Sequence, residues 1–214
     1  MKCKYSIWTL IICIFTTGCL SSKYIPRKEY LLNIADPVSM SNLSKNIYLK
    51  KYFLFLDRIT IVSPYNQLDF IYRINSSEYL TDYYNGFMSS PEEQVYLSLV
   101  KYLKQISNLE ILTTLPEMIK ANDTTTIFKL HTEITELMAD YRDRNNPKTI
   151  VSIHVIIKKI EIKNSTTIIL FDKTISSVIP IKKKNTESLV SGLNKCFQNV
   201  LEELIYIMKT YLIL

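Results

Sequence analysis

Glycine is scarce in this chain, which has 214 residues and only three glycines, at positions 18, 86 and 192. Loops that cradle phosphate groups need several glycines close together, because the backbone must approach the ligand closely. The sequence therefore excludes nucleotide-binding proteins that use a glycine-rich phosphate loop.

Cysteine and histidine are also few, with four cysteines and two histidines in the whole chain. Cys3, Cys13 and Cys19 lie at the N-terminus, which leaves Cys196 alone in the rest of the sequence. No internal disulfide is therefore available, and no Cys/His spacing typical of a metal site occurs. Cys196 lies on an apolar stripe, which favours a buried small hydrophobic residue over a reactive thiol.

The first nineteen residues have the three parts of a secretory signal peptide. Lys2 and Lys4 supply positive charge, residues 7–15 form an apolar run, and small residues lead through Gly18 to Cys19. A cysteine at this place resembles the lipobox of bacterial lipoproteins. The resemblance implies cleavage between Gly18 and Cys19, followed by attachment of a diacylglycerol and an N-acyl chain such as palmitate to Cys19. No other cofactor is expected.

Two other interpretations of this segment stay open. An uncleaved transmembrane helix needs roughly 20 apolar residues, and the run over 7–15 is much shorter. A plain signal peptide with an incidental cysteine would be cleaved without lipid attachment. The lipoprotein interpretation is preferred to both. Three acyl chains would hold the domain firmly at a membrane, because each buried CH₂ contributes about 0.8 kcal/mol.

The charge distribution does not favour a nucleic-acid partner. The formal net charge is +6, and removal of residues 1–18, with two lysines and no acids, lowers it to +4. This surplus is spread along the chain, whereas nucleic-acid readers concentrate Lys and Arg on one face. The densest basic run, 182–184, is interpreted either as a solvated loop or as a weak attraction site for anionic lipid head groups.

The mature chain is predicted to contain a lipidated tether over 19–51 and a single α+β domain over 52–214. Serine and proline interrupt any periodicity in the tether. The domain is predicted as an antiparallel or mixed β-sheet with two main helices packed on one face. The first helix begins after Ser90, where Pro91 and Glu93 complete a capping pattern, and an apolar stripe predicts a second, long helix from about Thr186.

Period-2 patterns and turn residues predict the strands of the domain. Alternation over 149–162 changes phase at Lys158 and Lys159, which predicts a β-bulge there. The other strands are expected over 52–62, 68–74, 77–84, 109–112, 126–143, 168–171 and 174–179.

Few residues are candidates for catalysis, and none forms a recognisable nucleophile–base pair. The two histidines, His131 and His154, are interpreted as exposed strand residues. The charges around the turn near 140 are interpreted as solvated ions or surface ion pairs; they are Asp140, Arg142, Asp143 and Arg144. We therefore expect a protein that is not an enzyme, with a periplasmic hydrolase as the least favoured alternative.

An aromatic cluster is the one candidate binding surface in the domain. It consists of Tyr79, Tyr83, Tyr84 and Phe87. Packing within a half-buried sheet is the first interpretation, because tyrosine suits strands. A partner interface is the second, because tyrosine is enriched where one end of a side chain is apolar and the other wet.

The order of several segments carries a resemblance to a known family. After the lipobox come Tyr30-Leu31-Leu32, a strand over 53–61, the segment 70–73, the junction 87–91 before the first helix, and the segment 137–142. This order resembles the ABC-type transport auxiliary lipoproteins, the PqiC-like group, over nearly all of the mature chain.

The resemblance implies a docking role in intermembrane lipid transport. Such a lipoprotein is anchored in the outer membrane, faces the periplasm and docks an MCE-domain protein that works with an ABC permease and ATPase; some members assemble as homo-oligomeric rings. Leu20, next to the lipidated cysteine, favours sorting to the outer membrane. The alternative is a structural or assembly lipoprotein of another envelope machine, for lipopolysaccharide assembly or secretion.

Overall fold

The fold is α+β, as the sequence predicts. A computed structural model describes residues 25–37, 52–106, 109–112, 126–161 and 165–213. Within these ranges a mixed nine-stranded sheet carries two helices. The strands are β1 (Lys28–Tyr30), β2 (Tyr52–Leu56), β3 (Thr60–Ile61), β4 (Asp69–Arg73), β5 (Tyr79–Phe87), β6 (Leu109–Leu112), β7 (Thr126–Asp140), β8 (Lys148–Glu161) and β9 (Thr166–Pro180), and the helices are α1 (Pro91–Leu103) and α2 (Thr186–Ile213).

Strand β7 is the centre of the sheet. One of its edges pairs with β8 along nearly the whole strand, and β8 pairs in turn with β9, both antiparallel. Its other edge pairs successively with β2, β3 and β4, all parallel. Strand β5 follows β4, β1 lies beside β5, and β6 lies beside β2. The predicted strand 52–62 is therefore divided into β2 and β3, which lie along the same edge of β7.

One end of the sheet has a surplus of basic side chains. One register row joins Tyr79, Arg73, Asp140, Lys148 and Pro180 across five strands. The loops beyond this row, 74–78, 141–147 and 181–185, contain five basic and two acidic side chains, and we call this the basic end. The opposite end, where Glu161 pairs with Thr166, is the far end. Strands of 14 and 15 residues separate the two ends by about 45 Å.

Both helices pack on the same face of the sheet. Ser90 caps α1, with its Oγ accepting from the Glu93 backbone N–H at 3.5 Å. Helix α2 runs from the basic end toward the far end, since Gly192 lies against Thr149 and the Tyr211 ring contacts Phe171 at 6.1 Å. The core between the helices and the sheet is apolar; its largest fully buried members include Phe70, Phe197, Leu99, Leu130, Ile153 and Leu193.

Strand β9 is one continuous strand at the edge of the described sheet, although its sequence predicts one or two strands. A bulge lies at the predicted level of the β8–β9 ladder, because the register shifts between Ile157 and Lys158, but the prediction of a bulge on β8 itself is wrong. Ile157 pairs with Phe171 and Lys158 with Ile169, so the extra residue is Leu170, on β9.

The described part of the predicted tether packs on the domain. Strand β1 pairs with β5, the Leu32 backbone N–H donates to Gln94 Oε1 at 2.6 Å, and Ile34 is buried. The Tyr102 hydroxyl donates to the Ala35 carbonyl at 2.9 Å. Residues 28–37 therefore belong to the fold and not to a tether; residues 19–24 and 38–51 of the predicted tether, like the signal peptide with Gly18 and Cys19, lie outside the described residues.

Candidate functional site

Three of the four residues of the aromatic cluster are exposed. Tyr79, Tyr83 and Tyr84 retain 41%, 78% and 47% of their accessible surface, whereas Phe87 retains 2%. The Phe87 ring packs edge-on against Phe70 at 4.7 Å, so Phe87 is a core residue that a partner does not reach in this fold. We use the name tyrosine surface for Tyr79, Tyr83 and Tyr84 with the exposed Leu80.

A large irregularity in β5 places Tyr83 and Tyr84 on the surface, whereas Tyr79 and Leu80 lie in the regular part of the β4–β5 ladder. Ile71 of β4 pairs with Thr81, but Asp69 pairs with Gly86, so residues 82–85 project from the ladder. Asp82 holds this projection: its Oδ1 accepts from the backbone N–H of Tyr84 at 2.9 Å and its Oδ2 from the Tyr72 hydroxyl at 2.6 Å. Burial and this carboxylate together raise the pKa of Tyr72.

The tyrosine surface is amphipathic. The Tyr83 and Tyr84 rings lie edge-to-face at 5.3 Å, and the Arg73 guanidinium lies 5.6 Å from the centre of the Tyr79 ring. Rings with polar tips, next to a cation, suit a boundary between an apolar phase and water. The arrangement is suited to binding.

A second exposed apolar surface lies at the far end. Ile168 and Ile169 are 46% and 57% exposed, and both belong to β9, which pairs only with β8 among the described strands. Successive strand residues point to opposite faces, so the strand is open to solvent on both faces as well as along its edge. The sequence did not single out these residues, because a run of β-forming residues looks the same in a central strand and in an edge strand.

The two histidines lie on the sheet face opposite the helices, and each contacts an aspartate. His131 Nδ1 lies 3.4 Å from Asp57 Oδ2, and His154 Nε2 lies 2.8 Å from Asp172 Oδ1. Ser152 is on the same face, but its hydroxyl donates to Glu136 at 2.6 Å. This serine is therefore engaged by a carboxylate and is not paired with a histidine base.

An open cleft of about 860 Å³ lies between the end of β2 and the N-terminal half of α1. Its walls include Phe55, Ile59 and Tyr96, with Asp57 and Glu92 as acidic groups. Asp57 is already paired with the Lys129 ammonium at 3.1 Å. The cleft thus combines apolar walls with acidic groups and the basic side chain of Arg58.

The Cys196 thiol is buried, as its apolar stripe predicts. Its side chain is inaccessible, and its Sγ lies 3.4 Å from the Ser177 carbonyl oxygen. Burial raises the pKa of this thiol, which lowers the fraction of reactive thiolate.

The turn after β7 contains a close ion pair. Arg142 Nη2 lies 2.7 Å from Asp140 Oδ2, and Arg142 Nε donates to Asp140 Oδ1 at 3.0 Å. Asp140 is mostly buried, while Arg142 is exposed. The guanidinium holds the pKa of Asp140 below its ordinary value, against the opposing effect of burial.

This pair predicts a pH dependence of stability. A carboxyl group whose pKa is lower in the folded than in the unfolded state stabilises the fold above the unfolded pKa, and that contribution is lost as the pH falls through the folded pKa. Asp140→Asn should therefore be less stable than the wild type at pH 7. The difference in free energy of unfolding between wild type and variant should shrink below about pH 4, which is near the ordinary pKa of an aspartate side chain. Urea unfolding between pH 2 and 7 measures it.

Asp143→Asn is the matched control for this measurement, because Asp143 lies in the same turn and accepts from the Asn145 backbone N–H. Its difference from the wild type should not follow that of Asp140→Asn. A gap between wild type and Asp140→Asn that is constant over the whole pH range would contradict the role given to this ion pair.

The described residues contain no group of three or more His, Cys, Asp or Glu side chains placed to hold a metal ion. Neither α1 nor α2 has the length and apolar character that a membrane-spanning helix requires.

Comparison with known proteins shows the fold and no family. No family model matches the chain, and no curated protein matches its sequence. Among solved structures, protein XCC0632 from Xanthomonas campestris, of family DUF330, has a TM-score of 0.58 at 13% identity, covering 72% of this chain and 82% of that one. An uncharacterised protein has a TM-score of 0.60 at 12% identity, covering 86% of this chain and 99% of its own.

These structures correct the family resemblance drawn from the sequence. The likeness is to a DUF330 protein and to uncharacterised proteins, and the assignment to the PqiC-like group is wrong. Lipoprotein GNA1162 from Neisseria meningitidis also matches, at 10% identity over 75% of this chain and 96% of that one, but its TM-score of 0.36 is too low to carry an argument.

Proposed function

We propose that this protein is a non-enzymatic, lipid-anchored docking component of a cell-envelope assembly. It is held at the outer membrane by acyl chains on Cys19 and faces the periplasm, where it binds a protein partner. The observation that carries this proposal is the exposed far half of β9, where Ile168 and Ile169 lie at the end of the sheet opposite the basic end.

The far half of β9 has the properties of a strand that accepts a partner strand. An unpaired edge presents a row of free N–H and C=O groups, and proteins usually protect such edges with charge. The middle of β9 has Asp172 and Lys173, but residues 166–171 contain no charged side chain. A partner strand added there would gain main-chain hydrogen bonds, and the isoleucines would fill its side-chain pockets.

The finer function within this class is also proposed. The first candidate is intermembrane lipid transport, in which the partner is an MCE-domain protein working with an ABC permease and ATPase. The alternative is a structural or assembly role in lipopolysaccharide assembly or secretion. Mass spectrometry of proteins recovered with the lipidated protein from detergent-solubilised envelopes separates the two.

The variant Ile169→Glu tests the docking strand. Ile169 pairs with Lys158, so the new carboxylate has a cation opposite it and the fold should tolerate the change. In a partner interface the same carboxylate would be desolvated. We expect recovery of the main co-purifying protein to fall at least about tenfold, which corresponds to 1.4 kcal/mol.

Val178→Glu is the control, because Val178 lies on the same strand with 49% exposure but near the basic end. It should leave recovery unchanged. Equal recovery with both variants would refute the docking strand. If Ile169→Glu instead converts an oligomer to a monomer in sedimentation, the strand that binds β9 belongs to a second copy of this chain.

A further inference from the structure

The path of the N-terminal segment shows which end of the domain the anchor approaches. Strand β1 runs parallel to β5, with Lys28 beside Asn85. The chain before Lys28 therefore comes from the direction of Tyr84 and Tyr83, which is the direction of the basic end. Ile25, the first described residue, is 55% exposed.

The distance from this point to the proposed anchor is short. Six residue steps separate Cys19 from Ile25, and an extended chain covers about 3.4 Å per residue. Cys19 therefore lies within about 20 Å of Ile25 in any conformation of the intervening chain. A domain about 45 Å long cannot turn its basic end far from a membrane on so short a connection.

The surface at this end has the chemistry of a membrane contact. Tyr83 is the most exposed member of the tyrosine surface, at 78%. The loops 141–147 and 181–185 supply Arg144 and the exposed lysine run 182–184, whereas the Arg142 charge is paired with Asp140 and the first loop also contains Asp143. Tyrosine is enriched at the boundary between membrane and water, and each Lys or Arg near an anionic surface contributes about 1 kcal/mol of attraction.

We infer that the tyrosine surface and the basic loops together form a second membrane-binding site, which rests on the head groups of the bilayer that holds the acyl chains. This inference depends on the anchoring at Cys19 in the proposed function. The tyrosine rings enter the head-group region, and the basic loops meet lipid phosphates. The sheet then stands away from the membrane and presents the far half of β9 to the periplasm.

A membrane is favoured over a protein as the occupant of this surface for two reasons. The short connection places the membrane beside the surface whenever the anchor is inserted. The basic loops extend the contact from β5 to β9 across five paired strands, which suits a broad, flat, anionic surface.

Tryptophan fluorescence tests the inference in the lipidated protein. The only tryptophan of the chain is Trp8, which lies in the proposed signal peptide and is lost on its cleavage, so Tyr83→Trp places a single reporter on the tyrosine surface of the lipidated protein. Tyr206→Trp is the matched control, because Tyr206 is 74% exposed and lies about 30 Å along α2 from its N-terminus. Both proteins are reconstituted in phosphatidylethanolamine–phosphatidylglycerol vesicles with brominated acyl chains.

We expect a blue shift and at least twofold quenching for Tyr83→Trp, and neither for Tyr206→Trp. Replacing Lys182, Lys183 and Lys184 with glutamine in the Tyr83→Trp protein should reverse the quenching. Each lysine removed lowers the equilibrium constant for docking on the membrane about fivefold. Absence of quenching at position 83, or equal quenching at both positions, would overturn the inference.

The same samples separate this inference from the proposed function. Co-flotation of the protein with the vesicles reports the lipid anchor independently of the reporter. Protein that floats without quenching at position 83 retains its anchor and contradicts only the second membrane site. If Tyr83→Ala then loses a co-purifying protein with unchanged melting, the tyrosine surface binds a protein instead, and the inference fails.

Discussion

Replacement of Cys19 by serine is expected to move the protein from the membrane fraction to the soluble periplasm. Lipoprotein modification attaches the first lipid through the cysteine sulfur, and serine has no thiol to accept it. The variant would lose all three acyl chains. Since even one acyl chain binds a membrane only marginally, and stable anchoring needs two lipid signals, a protein without acyl chains has no lipid anchor. Loss of membrane association should therefore be nearly complete.

The second membrane site makes this expectation more specific. Without acyl chains, the tyrosine surface and basic loops alone would have to hold the domain at the bilayer. Attraction of this kind is screened by salt, so Cys19→Ser protein should bind anionic vesicles at low ionic strength and leave them at physiological salt. Sedimentation with vesicles at two salt concentrations measures this.

Cys3→Ser is the control for Cys19→Ser, because Cys3 lies beside the lysines at the start of the proposed signal peptide. It should remain in the membrane fraction. The mass of the N-terminal peptide reports acylation directly. Cys19→Ser protein that stays membrane-bound at physiological salt would argue against the anchor and favour the uncleaved-helix interpretation.

The helices and the long strands could be predicted because their signals are local. Ser90 and Pro91 define the start of α1, and the apolar stripe predicts the long helix α2, which begins at Thr186. The phase change at Lys158 marked the level of the bulge, but the extra residue, Leu170, lies on the neighbouring strand β9. For the two helices, the residues that determine the element lie within it.

Features that depend on distant contacts could not be predicted in this way. Residues 28–37 fall within the predicted tether, and only their contacts with β5, α1 and α2 include them in the fold. Phe87 resembles its exposed neighbours in sequence, but the β5 irregularity ends before it and leaves it in the core. The family resemblance failed because strands, a capped helix and a lipobox in that order identify an architecture and not one family.

Gly192→Val is expected to destabilise the fold by about 3 kcal/mol, the upper part of the range for an overpacked core. A side chain at this position would overlap Oγ1 of Thr149 and come within 3.0 Å of its Cβ. Thr149 lies in β8, which is paired on both edges and cannot move aside. The better helix propensity of valine offsets only a few tenths of a kcal/mol.

Helix α2 cannot move away from the sheet without losing other contacts. Leu189 and Leu193 flank Gly192 and are almost fully buried, and Cys196 approaches Ser177 on the next turn. Lifting the helix would open cavities around these side chains, each of which costs stability. The strain therefore remains localised at Gly192 and Thr149. A loss of this size lowers the melting temperature by about 6–12 °C for a domain of this length.

A double-mutant cycle identifies the clash as the cause. Thr149→Ala removes the hydroxyl and methyl groups that the new side chain meets, so Gly192→Val should cost at least about 1 kcal/mol less in the Thr149→Ala background. Ser191→Val, at the exposed neighbouring position, should change stability by no more than about 0.5 kcal/mol. Additive effects of Gly192→Val and Thr149→Ala would mean that the helix relieves the overlap by shifting, and that the close approach of α2 to β8 does not determine the stability of this fold.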